Sequence, residues 1–221
     1  MVKKRTKQGK KIERQLIKIA LFVVALVLLF VVANSFFNFY FKKINQIEYE
    51  GLIFTKEKFG DIPVFRYYYY LKIPASENVI QYNFYLRNDP RTNEIPVINP
   101  EDIVFDVGKV FVTLDPPNLA QCTTSQLAVG DLTSFLTDNQ FKVTAGSLDF
   151  VRAPVYNLPY VTCETNPNDS VIQLIRGDQT EIIAEDNCFS IVIGPSCDIA
   201  PAVEKFKTQS IINAREKAGL N

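Results

Sequence analysis

The chain contains no His at all, and that absence bounds its chemistry more tightly than any residue it does contain. His-ligated zinc, His-held haem and every Ser-His or Cys-His nucleophile pair are excluded. Four cysteines remain: Cys122, Cys163, Cys188 and Cys197. A metal site built from four thiolates uses close C-x2-C pairs, whereas here the successive gaps are 41, 25 and 9 residues. An even count without metal spacing reads as two disulfides. No metal or cofactor is expected. Arg87, Asp89 and Arg91 form a polar turn, Arg-Asn-Asp-Pro-Arg. Either one of its arginines holds Asp89 within the turn, or the two together offer a contact for a carboxylate or phosphate. Arg176-Gly177-Asp178 spells an adhesion triplet, but Gly-Asp is also what a tight hairpin turn requires. Asn168-Asp169-Ser170 is a glycosylation sequon. The acidic pairs Glu101-Asp102 and Glu185-Asp186 lack the spacing of a calcium loop and read as solvated turn charge. G-x-S-x-G, S-x-x-K, P-loop and Rossmann glycine patterns are missing.

Charge is distributed unevenly beneath a balanced total of 24 basic and 24 acidic side chains. Residues 1–18 hold Lys3, Lys4, Arg5, Lys7, Lys10, Lys11, Arg14 and Lys18 against Glu13 alone, a net of +7. Residues 44–221 hold 14 basic and 23 acidic residues, a net of −9. Between them Ile19 to Ala33 is fifteen residues long without a polar side-chain atom, and Phe36, Phe37, Phe39, Tyr40 and Phe41 extend the apolar run. As one helix, 19–41 would measure roughly 34 Å at about 1.5 Å per residue, enough to span about 30 Å of hydrocarbon. The reading is a transmembrane signal anchor that contacts lipid, with the basic tail 1–18 cytoplasmic by the positive-inside rule and 44–221 outside. Ala33-Asn34-Ser35 also has the small-x-small form of a cleavage site, although cleavage there would leave a Phe-rich N-terminus exposed. Processing near Gly9, in the manner of a pilin, would leave Arg14 and Lys18 in the apolar helix. Beside such a span, a basic tail serves topology and anionic lipid rather than nucleic acid.

The exterior region divides into a strand-rich part, 44–98, and a mixed part, 102–217, read together as one α+β unit. Strands are expected over 44–49, 52–59, 64–73 and 79–87, from their Ile, Val, Phe and Tyr content between Gly and Pro punctuation. Tyr67 to Tyr70 would place two rings on each sheet face, one side buried and the other carrying phenols to water. Further strands are expected over 109–114 and 141–145. A helix between them has Thr123 and Gln126 at capping-box spacing and Ala128, Leu132, Phe135 and Leu136 on its apolar face. Strands 160–163, 171–176, 180–184 and 188–193 read as a meander with Gly177-Asp178 as a hairpin turn. A last helix begins at Asp198, has Pro201 in its first turn and ends near Gly219.

An extended 188–193 holds Cys188 too far from Cys197 for a bond that needs Cα atoms within about 7 Å. Cys163 and Cys188 fall at one end of the meander. Cys197 and Cys122 share the other end if the strand before Cys122 runs parallel to 188–193. The expected pairs are therefore Cys163–Cys188 and Cys122–Cys197. The phrases FYLRNDPR (84–91), SQLAVGDLTSFL (125–136) and NCFSIVIGPSC (187–197) resemble those of uncharacterised single-pass membrane proteins of small-genome archaea. That resemblance implies an anchored, disulfide-bearing exterior domain and no assigned activity. The expected function is a non-catalytic binding or structural module of the cell surface, engaging a protein or glycan. A tethered metal-independent hydrolase using carboxylates and an accessory subunit of a membrane complex are the alternatives.

Overall fold

Side chains of opposite polarity pattern give the two parts of the chain different structures. In a computed structural model, residues 7–73, 78–105 and 108–220 are described, and they fall into two compact units, Met1–Ile47 and Glu48–Asn221. The basic residues Lys3, Lys4 and Arg5 lie outside the described residues, as does the Pro74-Ala75-Ser76 turn. Helix α1 (Lys7–Asn45) runs through the whole apolar stretch. Its segment Leu16–Phe41 is long and apolar enough to cross a membrane, and none of it is buried within the chain's own structure.

After α1, local turn chemistry builds a four-stranded sheet in the order β1 (Gln46–Tyr49), β2 (Leu52–Phe59), β3 (Ile62–Lys72) and β4 (Val79–Leu86), with β3 antiparallel to both β2 and β4. Glu50 and Gly51 both have positive φ, 48° and 72°, as the tight turn between β1 and β2 demands. Gly60 and Asp61 close the next hairpin, where Phe59 faces Ile62.

The second sheet has six strands in the order β5-β9-β10-β8-β6-β7. These are β5 (Val97–Ile98), β6 (Lys109–Leu114), β7 (Lys142–Ser147), β8 (Ser170–Arg176), β9 (Glu181–Glu185) and β10 (Cys188–Ile193). β6 runs parallel to β7 and to β8, and β8 parallel to β10. Between β6 and β7 lie α2 (Pro116–Leu119) and α3 (Ser125–Asp138), a strand–helix–strand crossover. α4 (Ile199–Lys217) follows β10.

Four layers result. Phe84 and Tyr82 of the first sheet meet Phe135 of α3 at 5.9 and 6.4 Å between centroids. Phe206 of α4 meets Phe189 of β10 at 5.8 Å. The opposite face of the second sheet is covered by the segment after β7, whose Val161 packs on Phe111 and Val171. Strands buried on both faces need continuous apolar runs, and KVFVTL and CFSIVI are such runs.

Three expectations require correction. The meander does not form, because β10 inserts between β8 and β9. Gly177-Asp178 is accordingly not a hairpin turn. Glycine is required at 177 because a Cβ there would sit 2.4 Å from Val192 Cγ1. The hairpin is at Asp186-Asn187 instead, between the paired Glu185 and Cys188, with Asp186 at φ 51°. Residues 160–163 do not make a strand; one parallel bridge joins Tyr160 to Ser147. The capping box is absent too: α3 starts at Ser125, and its cap residue Thr124 makes no side-chain bond to the helix.

Candidate functional site

From Tyr67 onward, alternation along β3 sorts its side chains into two environments. Tyr67 and Tyr69 point inward with Phe65, and Tyr69 Oη donates to Asn139 Oδ1 at 2.7 Å. Burial drives the Tyr69 phenol well above its ordinary pKa. Burial, helped by the negative charges of Asp138 and Asp131, pushes Tyr82 up to about 12. Both rings are therefore neutral packing groups at ordinary pH.

Arg66, Tyr68 and Tyr70 point the other way. Tyr68 and Tyr70 are 49% and 64% exposed, and Phe59 and Ile62 on the same face are 56% and 59% exposed. A polar strip crosses this face. Arg66 Nε donates to Glu57 Oε1 at 2.6 Å, and Arg66 Nη1 and Gln81 Nε2 both donate to Asn83 Oδ1, at 3.2 and 2.9 Å. The Arg66 guanidinium also lies 5.8 Å from the Tyr68 ring centroid. Rigid rings around a fixed arginine are the composition that protein interfaces concentrate at their centres.

Helix α4 carries charges that the sequence reading missed. Glu204 is buried and accepts from Arg87 N at 2.6 Å, Asn88 N at 3.3 Å and Asn88 Nδ2 at 2.8 Å. Lys207, 1% exposed, donates to Asp131 and lies over the rings of Phe84 and Phe135 at 5.2 and 5.8 Å. Arg215 donates to Gly51 O at 3.0 Å, Tyr67 Oη at 3.3 Å and Leu220 O at 2.7 Å. Glu204 and Arg215 tie α4 to the segment after β4 and to the first sheet, and Lys207 ties it to Asp131 of α3, so each of the buried charges finds a partner. Their only trace in the sequence is position: Glu204, Lys207 and Ile211 fall three and four residues apart, so the charges interrupt an apolar face.

Two clefts of about 580 Å³ open at opposite ends of the unit. One, at the carboxyl ends of β8 and β10, includes Glu94, Asp178, Ser196 and Asp198 beside Ile95 and Pro195. Asp198 begins α4 without a side-chain bond to it, because its carboxylate accepts from Ser196 Oγ. The other lies beside the C-terminal end of α4 and has aromatic walls, with Tyr69, Phe105, Phe135 and Phe141 among them.

The four cysteines form Cys122–Cys197, with Cα atoms 5.4 Å apart, and Cys163–Cys188, 5.5 Å apart. Arg176 Nη1 donates to Gly194 O at 2.8 Å and lies 3.2 Å from Cys122 Sγ. The arginine of the adhesion triplet is thus spent on packing beneath a disulfide. In the polar turn, both carboxylate oxygens of Asp89 are taken by Arg91, at 3.0 Å from Nε and 2.6 Å from Nη2. That guanidinium holds the Asp89 carboxyl below its usual pKa. Arg87 is exposed, and its backbone N–H donates to Glu204 Oε1. The turn therefore holds its own acid between chain groups and offers no open arginine pair. Lys18 is exposed on α1, and the side chains of Lys7, Lys10, Lys11 and Arg14 lie outside the described residues. Among the described residues, no group of three or more His, Cys, Asp or Glu is placed to hold a metal ion. No protein-family model, curated protein or solved structure matches the chain.

Proposed function

We propose that the chain is a single-pass membrane protein whose disulfide-bonded domain stands outside the cytoplasm and engages a partner without catalysis. Helix α1 supplies the anchor: 26 residues from Leu16 to Phe41 meet the length a bilayer requires. The basic residues before it favour a cytoplasmic N-terminus. Two disulfides with no free cysteine among the described residues fit an oxidising compartment.

The outer face of the first sheet carries the functional part of the reading. A broad, shallow surface of exposed Tyr68, Tyr70, Phe59 and Ile62 around a wired arginine is suited to a protein or glycan, not to enclosing a reacting group. The test is made on intact cells. Protease added outside should remove the domain and leave the basic tail protected. A photo-crosslinking residue at position 70 should capture one defined partner that the same residue at exposed position 151 does not. Protection of the domain overturns the orientation, and identical capture from both positions overturns the role of the sheet face.

A further inference from the structure

The segment after β7 carries a second inference, separate from the outer sheet face. Phe150, Val151 and Val155 are 72%, 79% and 78% exposed, and Tyr156 beside them is 43% exposed. Ala153, between the two valines, is buried and seats the segment on the fold. The segment is fixed by its own bonds. Asp149 Oδ1 accepts from Val151 N at 2.9 Å and from Arg152 N at 3.0 Å. Asp149 O accepts from Ala153 N at 2.8 Å, and Arg152 O from Tyr156 N at 3.2 Å. Tyr160 braces the Phe150 ring edge-on, 5.4 Å away between centroids. Apolar side chains are thus held outward as a ridge, on a turn that can leave water without stranding these amides. Arg152 is the one charged residue from 150 to 163, and its Nε lies 3.5 Å from Asp149 Oδ2. The ridge is therefore close to electrically neutral.

The topology of the Glu48–Asn221 unit puts the ridge at the end where the chain enters that unit. β6, β7, β8 and β10 run parallel, so their carboxyl ends lie together. The ridge starts from the carboxyl end of β7, and α4 from that of β10. Lys205, in the first half of α4, donates to Tyr49 Oη at 2.8 Å, while Arg215, near its C-terminal end, donates to Gly51 O at 3.0 Å. The chain therefore passes through β1 in the direction of α4, and enters from the side of its N-terminus. Glu48 follows Phe41, the end of the membrane-length segment, by seven residues, at most about 25 Å of extended chain.

We infer that the ridge 150–156 inserts into the interfacial layer of a lipid bilayer, held there by apolar burial and not by charge. Phe and Tyr at its tip suit that layer, where an amphipathic ring finds both its environments. The inference rests on the anchor part of the reading above, that α1 crosses the bilayer.

The chain has no Trp, so single Trp substitutions each report one site. The full chain is placed in nanodiscs of phosphatidylcholine, plain or brominated on its acyl chains, and the loss of Trp emission in the brominated lipid is read. Phe30→Trp, within the apolar segment of α1, is the buried reference. Tyr70→Trp is the exposed one, at the other end of the unit, where Lys72 O accepts from Gln140 Nε2 ahead of β7. Val151→Trp should lose at least about half as much emission as Phe30→Trp, an interfacial segment lying about 5–10 Å into the headgroup and acyl boundary. Adding Val155→Asp should cut that loss by about twofold or more, because such binding scales with buried apolar area. Replacing part of the lipid by phosphatidylserine should leave it unchanged.

Val151→Trp quenched no more than Tyr70→Trp, with Phe30→Trp quenched, overturns the ridge and leaves the anchor standing. Phe30→Trp unquenched overturns the anchor and the inference with it. Equal quenching with and without Val155→Asp assigns the insertion to the introduced indole and overturns the ridge. Quenching that requires phosphatidylserine overturns its apolar basis. Should Val151→Trp fail to fold, Val155→Trp is read against the same two references and decides in the same way. None of these outcomes depends on which leaflet the domain faces or on what the outer sheet face engages.

Discussion

The first sheet keeps one face in water and joins its first three strands by two-residue turns, whereas the second is covered on both faces and carries both disulfides. The difference starts in the strands. From Tyr67 to Lys72, β3 alternates between half-buried and exposed positions, while five of the six residues of β6 are buried or nearly so regardless of parity. An antiparallel sheet with one wet face can display side chains for a partner. A parallel sheet in the interior cannot, and its order is set by crossovers that join distant parts of the chain. Display and covalent reinforcement are therefore divided between the two sheets.

Removing the covalent links should break this division most severely. In the chain-entropy account, a bond closing 75 residues stabilises more than one closing 25. Cys122→Ser with Cys197→Ser should lower the unfolding free energy by about 4.5 kcal/mol, and Cys163→Ser with Cys188→Ser by about 3.5 kcal/mol. Urea denaturation of the two double variants measures both. Equal losses would mean that the cross-links act through native packing, such as the contact of Arg176 with Cys122, and not through the unfolded chain.

The same contrast decides what could be read in advance. The strands of the first sheet were legible because they are rich in Ile, Val, Phe and Tyr and are punctuated by Gly51 and by Gly60-Asp61-Ile62-Pro63. The order of the second sheet was not, because runs such as Cys188 to Ile193 are apolar at every step and carry no period that tells neighbours apart. Gly177-Asp178 imitated a hairpin while serving a close approach to Val192. The end of the sheet at which each cysteine lies is nevertheless unaffected by the change of order. β10 runs parallel to β8 in the meander and in the observed sheet alike, and β6 is parallel to both. The candidate surfaces were legible only in part. Outward Tyr68 and Tyr70 follow from period two, but the partners of Glu204, Lys207 and Arg215 emerge only once α4 is packed in the fold.

A smaller effect should come from the inner face of the first sheet at high pH. Tyr69 and Tyr82 have folded pKa values raised above the ordinary value near 10, the latter to about 12. In that interval the unfolded chain has already released these protons and the folded chain has not, so the folded state binds more protons and stability falls as pH rises. Stability should be insensitive to these two groups below about pH 10. It should decline from there upward, with the Tyr82 contribution levelling beyond about 12. Tyr82→Phe and Tyr69→Phe should each flatten the decline in denaturation curves taken at pH 9 and pH 11. A decline as steep in the double variant would place the alkaline sensitivity elsewhere in the fold.

The smallest stability change should come one residue further along the same strand. Tyr70 is 64% exposed and makes an edge contact with Tyr68 at 6.0 Å. Truncating a ring that folding leaves in water forfeits little buried area, and Tyr70→Ala should alter stability by less than about 0.5 kcal/mol. Its consequence should instead fall on association, because a ring central to an interface can be worth about 2 kcal/mol or more to a partner. A normal melting curve together with lost capture of the crosslinked partner is the expected pairing of results. An aromatic residue retained for folding would give the opposite pairing, a lowered melting temperature and intact capture. That result would move Tyr70 from the displaying face into the supporting structure and leave the outer sheet with no residue whose exposure serves recognition alone.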